Sequence, residues 1–186
     1  MEDGADHGLA RERVLRQVDT SLERLGIDRI DLYLTHEPDP DTPMEETLVA
    51  LDDCVRAGKV LYIGASNIEA WRLARALGTS DLRGLARFDW VQNSYSLLDR
   101  AQEREMFPLC ADAGVGFTAF SPLAGGWLTG KYRADGQYPD GSRMTLRPEP
   151  YLHLRDERTF RALEGFERAA AERGTDPATL AIAWLL

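Results

Sequence analysis

Four apolar runs in this chain end in uncharged polar residues. DLYLT is followed by His36, VLYIGA by Ser66 and Asn67, FDWV by Gln92 and Asn93, and GFTAF by Ser121. Imidazole, hydroxyl and amide groups delivered to one rim by successive strands form a pocket for a neutral polar moiety such as an amide or a carbonyl. His36 is the one histidine of three that follows directly on a β-type run, since His7 and His153 stand in polar or irregular stretches. Each signal also has a plainer reading. Ser66-Asn67-Ile68-Glu69 has the form of a capping box for the next helix, Gln92 and Asn93 are suited to satisfying loop backbone, and a lone histidine is often a satisfied core residue. The adjacent carboxylates Glu45–Glu46 and Asp52–Asp53 read as solvated helix positions rather than a catalytic pair. No metal-ligand spacing, Ser-His-Asp order, GxGxxG or Walker loop occurs.

The elements that must position these groups alternate strand with helix. Apolar residues Val14, Leu15, Val18, Leu22 and Leu25 follow helical spacing from Leu9 to Leu25, and Gly26 ends the helix. Ile30 to Thr35 is a strand. TPME at Thr42 supplies a cap, a first-turn proline and a glutamate for a helix from Pro43 to about Arg56, with Met44, Leu48, Leu51 and Val55 inward. A second strand begins at Val60, and a short helix runs from about Glu69 to Leu77. A third strand spans Phe88–Gln92, a helix Gln102–Ala113, and a fourth strand ends at Phe120. Strand starts recur about every 30 residues, the length of a βα repeat that builds a parallel sheet. The strands are continuous apolar runs, as parallel strands covered by helices should be. Residues 121–150 form a Gly- and Pro-rich stretch too long for an idle connector, and two helices follow: Arg155–Arg173, then one from Pro177 capped by Asp176. That last helix stops at AIAWLL, with the look of a cut end.

Composition removes several classes of function. With 186 residues, 44% hydrophobic and 28% charged, the chain suits one sizeable core. A net charge of −9, from 22 basic and 31 acidic residues, repels a nucleic-acid backbone and favours a small-molecule partner. Cys54 and Cys110 lie in helical patterns as reduced core thiols. The acidic MEDGADHG start is unlike a signal peptide, and no apolar run approaches the roughly 18 residues of a membrane span, so the expected setting is cytoplasmic.

Taken together, DRIDLYLTHEPDPDTPMEETLVALDDCVRAGKVLYIGASN, VQNSYSLLDR and FSPLAGGWLTGKY closely resemble the aldo-keto reductase superfamily, in particular its bacterial and potassium-channel-β-like branch. The likeness runs from about Gly8 to Leu186. It implies an α/β fold, a partial (β/α)8 TIM barrel holding strands 4 to 7 with their helices as a single partial domain over residues 1–186. It also implies NADPH as cofactor and a small-molecule aldehyde or ketone as substrate. By resemblance, His36 hydrogen-bonds the substrate carbonyl, while Ser66, Asn67 and Gln92 hold the nicotinamide carboxamide. Phe120 takes the place of an aromatic stacked on the nicotinamide. Ser121, Pro122, Leu123 and Gly125 wrap the pyrophosphate, helped by Leu128, and Lys131 and Arg143 face cofactor phosphates.

The same resemblance assigns the catalytic tyrosine, its lysine and the partnering aspartate to earlier strands. Tyr33 and Tyr62 sit inside strands at non-matching positions and do not replace that tyrosine. The expectation is therefore a fragment of an oxidoreductase, inactive alone, whose open sheet edges offer a route to self-association. An alternative is an NADP(H)-binding regulatory or sensor module without turnover. Trp90 and Trp127 are expected near the rim or its loop.

Overall fold

The computed structural model describes residues 8–186, so the readings placed on His7 and on the acidic start lie outside the described residues. The described chain forms two compact units, residues 8–93 with 102–118, and residues 94–101 with 119–186.

The first unit carries helices α1 (Arg11–Leu25), α2 (Met44–Arg56), α3 (Ala70–Arg83) and α4 (Met106–Ala113). Its strands belong to one four-stranded sheet in the order β1 (Ile30–Thr35), β2 (Val60–Ser66), β3 (Phe88–Ser94) and β4 (Gly116–Phe120). β1 pairs parallel with β2, Leu34 opposite Gly64, and β2 pairs parallel with β3, Ser66 opposite Gln92. The expected α/β class with a parallel sheet and flanking helices is what forms. Sequential order follows from the βα repeat, because each helix returns the chain to start the neighbouring strand in the same direction.

The helices cover one face of the sheet. Val18, Leu48, Leu51, Ile63, Leu73 and Val91 are fully buried there, each contributing about 1.5–3 kcal/mol of apolar burial. The other face stays open, with Leu32, Tyr62 and Trp90 exposed at 37%, 52% and 36%. On that face the sheet is shaped by what is missing. A Cβ on Gly64 would stand 2.3 Å from the Trp90 carbonyl oxygen and 2.5 Å from Leu34 Cδ2, and one on Gly116 would meet the Trp90 ring at 2.2 Å. Trp90 Nε1 donates to Thr118 Oγ1 at 2.7 Å, fixing the indole over Gly116.

Several expectations change at the element ends. α1 closes on a left-handed Gly26 as expected, yet Leu25 is exposed rather than inward. Thr42 does not cap α2; its hydroxyl donates to Asp39 Oδ2 at 2.5 Å, and Glu45 pairs with Arg83 instead of closing a box. α3 runs six residues beyond Leu77, because Ser80 is buried and its hydroxyl donates to Ala86 O, drawing a fourth turn into the fold. The helix expected from Gln102 is a 3-10 turn, Ala101–Glu103, followed by α4. Asp52 is no solvated carboxylate: it is buried, accepts from Ala86 N at 2.8 Å and from Arg56 Nε, and so ties α2 to the start of β3. Asp53 is the more exposed member, paired with Arg11.

The second unit has its own core of Trp127, Leu128, Tyr132, Met144, Leu154, Leu163 and Ala181. Residues 121–150 are not a plain loop: they hold a 3-10 segment, Ala124–Thr129, the single turn α5 (Arg143–Leu146) and the start of a second 3-10 segment, Glu149–Leu154. Trp127 is fully buried, its ring centroid 5.3 Å from Tyr132 and 5.5 Å from Phe160. α6 (Glu157–Glu172) and α7 (Pro177–Leu185) are each capped by an aspartate, Asp156 accepting from Thr159 N and Asp176 from Thr179 N. The Asp176 cap matches the sequence reading. No helix among the described residues is long and apolar enough to cross a membrane.

Candidate functional site

The first unit collects His36, Ser66, Asn67, Gln92 and Asn93 where β1, β2 and β3 end. Asn67 is central. Its N–H donates to Gln92 O at 3.1 Å, and its side-chain Nδ2 donates to His36 O at 2.8 Å, bridging 31 positions of chain. To make both bonds its backbone adopts φ 52°, a left-handed conformation that asparagine tolerates better than most residues. The His36 peptide is thereby pinned while its imidazole remains exposed.

Ser66 does not cap α3; the helix N-cap is Glu69, without a side-chain bond. The Ser66 hydroxyl donates instead to Gln92 O at 2.7 Å, and the residue is only 3% exposed. Asn93 takes the plainer role weighed for it, exchanging two hydrogen bonds with the Ile68 backbone while 4% exposed. Gln92 differs from its neighbour: its side-chain amide has no hydrogen-bond partner among the described residues and is partly exposed.

Polarity follows from these partners. A carbonyl only accepts, so the Asn67 amide NH2 is committed to His36 O and, at 3.4 Å, to Ser66 Oγ, while its Oδ1 remains an acceptor. Ser66 has used its proton on Gln92 O and one lone pair on Asn67 Nδ2, and keeps the other. Gln92 retains both functions. Two acceptors beside a donor–acceptor amide complement a primary carboxamide, which has two N–H donors and one carbonyl.

The second unit holds the remaining predicted residues. Phe120 is partly buried, its carbonyl accepting from Tyr95 N at 3.3 Å. From Ser121 the backbone turns sharply: φ is positive at Ser121 (55°), Ala124 (47°), Gly125 (65°) and Gly126 (101°). Leu123 precedes Ala124–Gly126 near the right-handed region, and the loop is closed on itself by Ala124 N–H donating to Ser121 O at 2.8 Å and Gly126 N–H donating to Leu123 O at 2.9 Å. Ser121 and Pro122 are partly exposed on this loop. Leu128, by contrast, is buried in the core and supports the loop by packing.

Lys131 is drawn onto the same loop. A Cβ on Gly126 would lie 2.6 Å from Lys131 Cε and 2.9 Å from its Nζ, so the ammonium packs where a side chain would otherwise be. The same Nζ stands 5.2 Å from the Tyr132 ring centroid. Arg143 is exposed at the start of α5. The neighbouring Met144 N donates to Tyr132 Oη at 3.4 Å, and that hydroxyl donates to Gly125 O at 3.1 Å. Sequence reasoning missed Tyr132 and Tyr151 as loop supports; aromatic residues in a Gly-rich stretch were the available signal.

Other titratable groups stand apart. Burial pushes both cysteine thiols above their ordinary pKa, which keeps them protonated and inert. Burial also raises Tyr33, making it a weaker acid, although the bond with Ser21 opposes the shift. Tyr62 is largely exposed on the open face.

Comparison with known proteins identifies the family. The pattern of the Aldo/keto reductase family matches residues 1–186. The chain is 37% identical to a versiconal hemiacetal acetate reductase of Aspergillus parasiticus, covering 96% of this chain and 52% of that one. It is 37% identical to an NADH-specific methylglyoxal reductase of Escherichia coli, covering 96% and 53%. With a probable voltage-gated potassium channel subunit beta of Arabidopsis thaliana it shares 36% identity over 96% and 55%. The chain thus spans about half the length of the curated relatives it matches. With strand-end polar groups, a glycine-turned loop and a family pattern that covers its whole length, this chain belongs to the aldo/keto reductase family.

Proposed function

We propose that this chain carries the nicotinamide-cofactor side of a carbonyl oxidoreductase, with NADPH as the cofactor and a small aldehyde or ketone as the substrate. The single observation that carries the reading is the linked group His36, Asn67, Ser66 and Gln92, whose unspent donors and acceptors complement a carboxamide. The loop turned at Ser121 and Ala124–Gly126, with Lys131 against it, fits a pyrophosphate. Phe120 needs only its ring to stack on a planar heterocycle.

When bound, the cofactor supplies a hydride to the carbonyl carbon. The contribution of His36 is to hold the carbonyl in place through a hydrogen bond to its oxygen and to stabilise the negative charge that grows there. Asn67 keeps the His36 peptide from drifting while the imidazole does this.

A general acid is a separate requirement, and neither lysine of the chain is placed to assist a free phenol. The chain has two lysines: Lys59 pairs with Asp19 at 2.5 Å, and Lys131 sits over Tyr132, whose hydroxyl is already spent on Gly125 O. Residues 1–186 alone therefore bind cofactor with little turnover. The similarity to channel β subunits supports a second reading, a nicotinamide-nucleotide sensor.

NADPH gains intrinsic emission when held by a protein, so the purified chain is titrated with NADPH and NADH in parallel. Micromolar or tighter NADPH binding supports the proposal, and no binding of either nucleotide ends it. Equal or tighter NADH binding removes the NADPH assignment, in line with the cofactor preference named for the Escherichia coli relative. Rapid oxidation of bound NADPH by methylglyoxal or an aromatic aldehyde would refute the expected lack of turnover. Binding that never leads to reduction, even when the rest of a barrel is supplied, favours the sensor.

A further inference from the structure

We infer that Tyr151 is the positioning residue that sets the Ser121–Gly126 loop and aims the Ser121 proton outward for a phosphate oxygen. This rests on the proposed reading of that loop as a pyrophosphate site. Tyr151 Oη stands 2.9 Å from Ser121 Oγ, across 30 positions of chain. Ser121 holds φ 55° without being glycine, a costly conformation that the bond to Tyr151 helps to hold.

The same tyrosine sets a second point of the loop. A Cβ on Gly125 would be 2.5 Å from Tyr151 Cε2 and 2.6 Å from Cζ, so the ring lies flush on the glycine. From another direction Tyr132 Oη donates to Gly125 O. Tyr151 is itself steadied: its N–H donates to Pro148 O at 2.8 Å, and Leu154, at the end of its 3-10 segment, is buried in the second core.

The chemistry decides the direction of the Ser121–Tyr151 bond once an anion is present. A phenol is the stronger acid and donates to the serine oxygen. The serine proton is then the one left to point at phosphate. Without the phenol hydroxyl, the serine proton has no fixed direction and the turn at Ser121 loses its external tie.

The test uses the full chain and three variants: Tyr151→Phe, which keeps the ring over Gly125, Ser121→Ala, and the double variant. NADPH affinity is read from nucleotide emission, and ADP-ribose, which has the pyrophosphate without nicotinamide, is read by competition. Each single variant is expected to weaken both ligands by about 5- to 10-fold, the scale of one net hydrogen bond. The double variant should be no weaker than the singles, because both remove one coupled unit. Thermal midpoints should fall by no more than about 4 °C, the scale of one lost hydrogen bond. Parent-like affinity of Tyr151→Phe overturns the inference, and so do independent, multiplying losses in the double variant. A parent chain that binds neither ligand overturns the underlying pyrophosphate reading as well, which separates the two failures. If Tyr151→Phe does not fold, Tyr151→His, which restores a donor, must regain parent affinity where Tyr151→Leu does not.

Discussion

Asn67 performs two tasks that substitution can separate. Its side chain ties His36, and its identity eases a left-handed backbone. Asn67→Ala should destabilise the chain by about 1–2 kcal/mol in urea titration, losing both a hydrogen bond and the tolerated φ. Asn67→Gly should recover most of that stability while NADPH affinity stays reduced, because only the backbone task is restored. Asp39 gives a pH signature on the loop after β1. The Thr42 hydroxyl and the Leu9 N–H hold its carboxyl below the ordinary value. A depressed carboxylate adds stability that is fully present above its unfolded pKa of about 4 and disappears as pH falls through the folded value. Asp39→Asn should flatten that acid limb in a pH series of denaturant midpoints. None of these ties was legible in the sequence: Asn67 reaches across 31 positions, and Thr42 looked like a cap because its nearer competitor, Asp39, is invisible to a four-residue pattern.

At the level of elements, the strands were legible and the helix ends were not. β1 was read to its exact bounds because a continuous apolar run between turn residues has few other fates in a βα repeat. α3 was cut short at Leu77 because Gly78 and Thr79 resemble a stop, whereas burial of Ser80 overrides local preference. Asp52 was misread for a similar reason, since two adjacent aspartates give no hint that one faces inward. Its removal is the sharper test of how α2 holds β3. Burial alone would raise its pKa, but the bonds from Arg56 and Ala86 outweigh this and lower it. Asp52→Ala leaves the Ala86 N–H without its acceptor and should cost about 1–3 kcal/mol, seen as a lower urea midpoint at unchanged slope. The capping aspartates form a matched pair in the second unit, and Asp156→Ala or Asp176→Ala should each cost about 0.5–2 kcal/mol by the same measurement.

For the whole molecule the governing feature is the uncovered sheet face, where Leu32, Tyr62 and Trp90 meet solvent. Monomeric proteins seldom leave such side chains together, and apolar faces of this kind associate. Sedimentation velocity of the purified chain should show mass rising with concentration, and Leu32→Lys with Tyr62→Lys should return it to a monomer without loss of helix content. Behind that face lies a constraint on the order in which substitutions can accumulate. Gly116 is closed to any side chain by the indole of Trp90, whereas Gly64 is closed by the Trp90 carbonyl oxygen, which every residue type shares. The two glycines therefore differ in their histories. Alanine at 116 becomes acceptable once Trp90→Leu has happened first, and is disfavoured in the reverse order. Alanine at 64 is barred on either route until the backbone itself moves, so one glycine is conditional on its neighbour and the other is fixed by the geometry of the sheet.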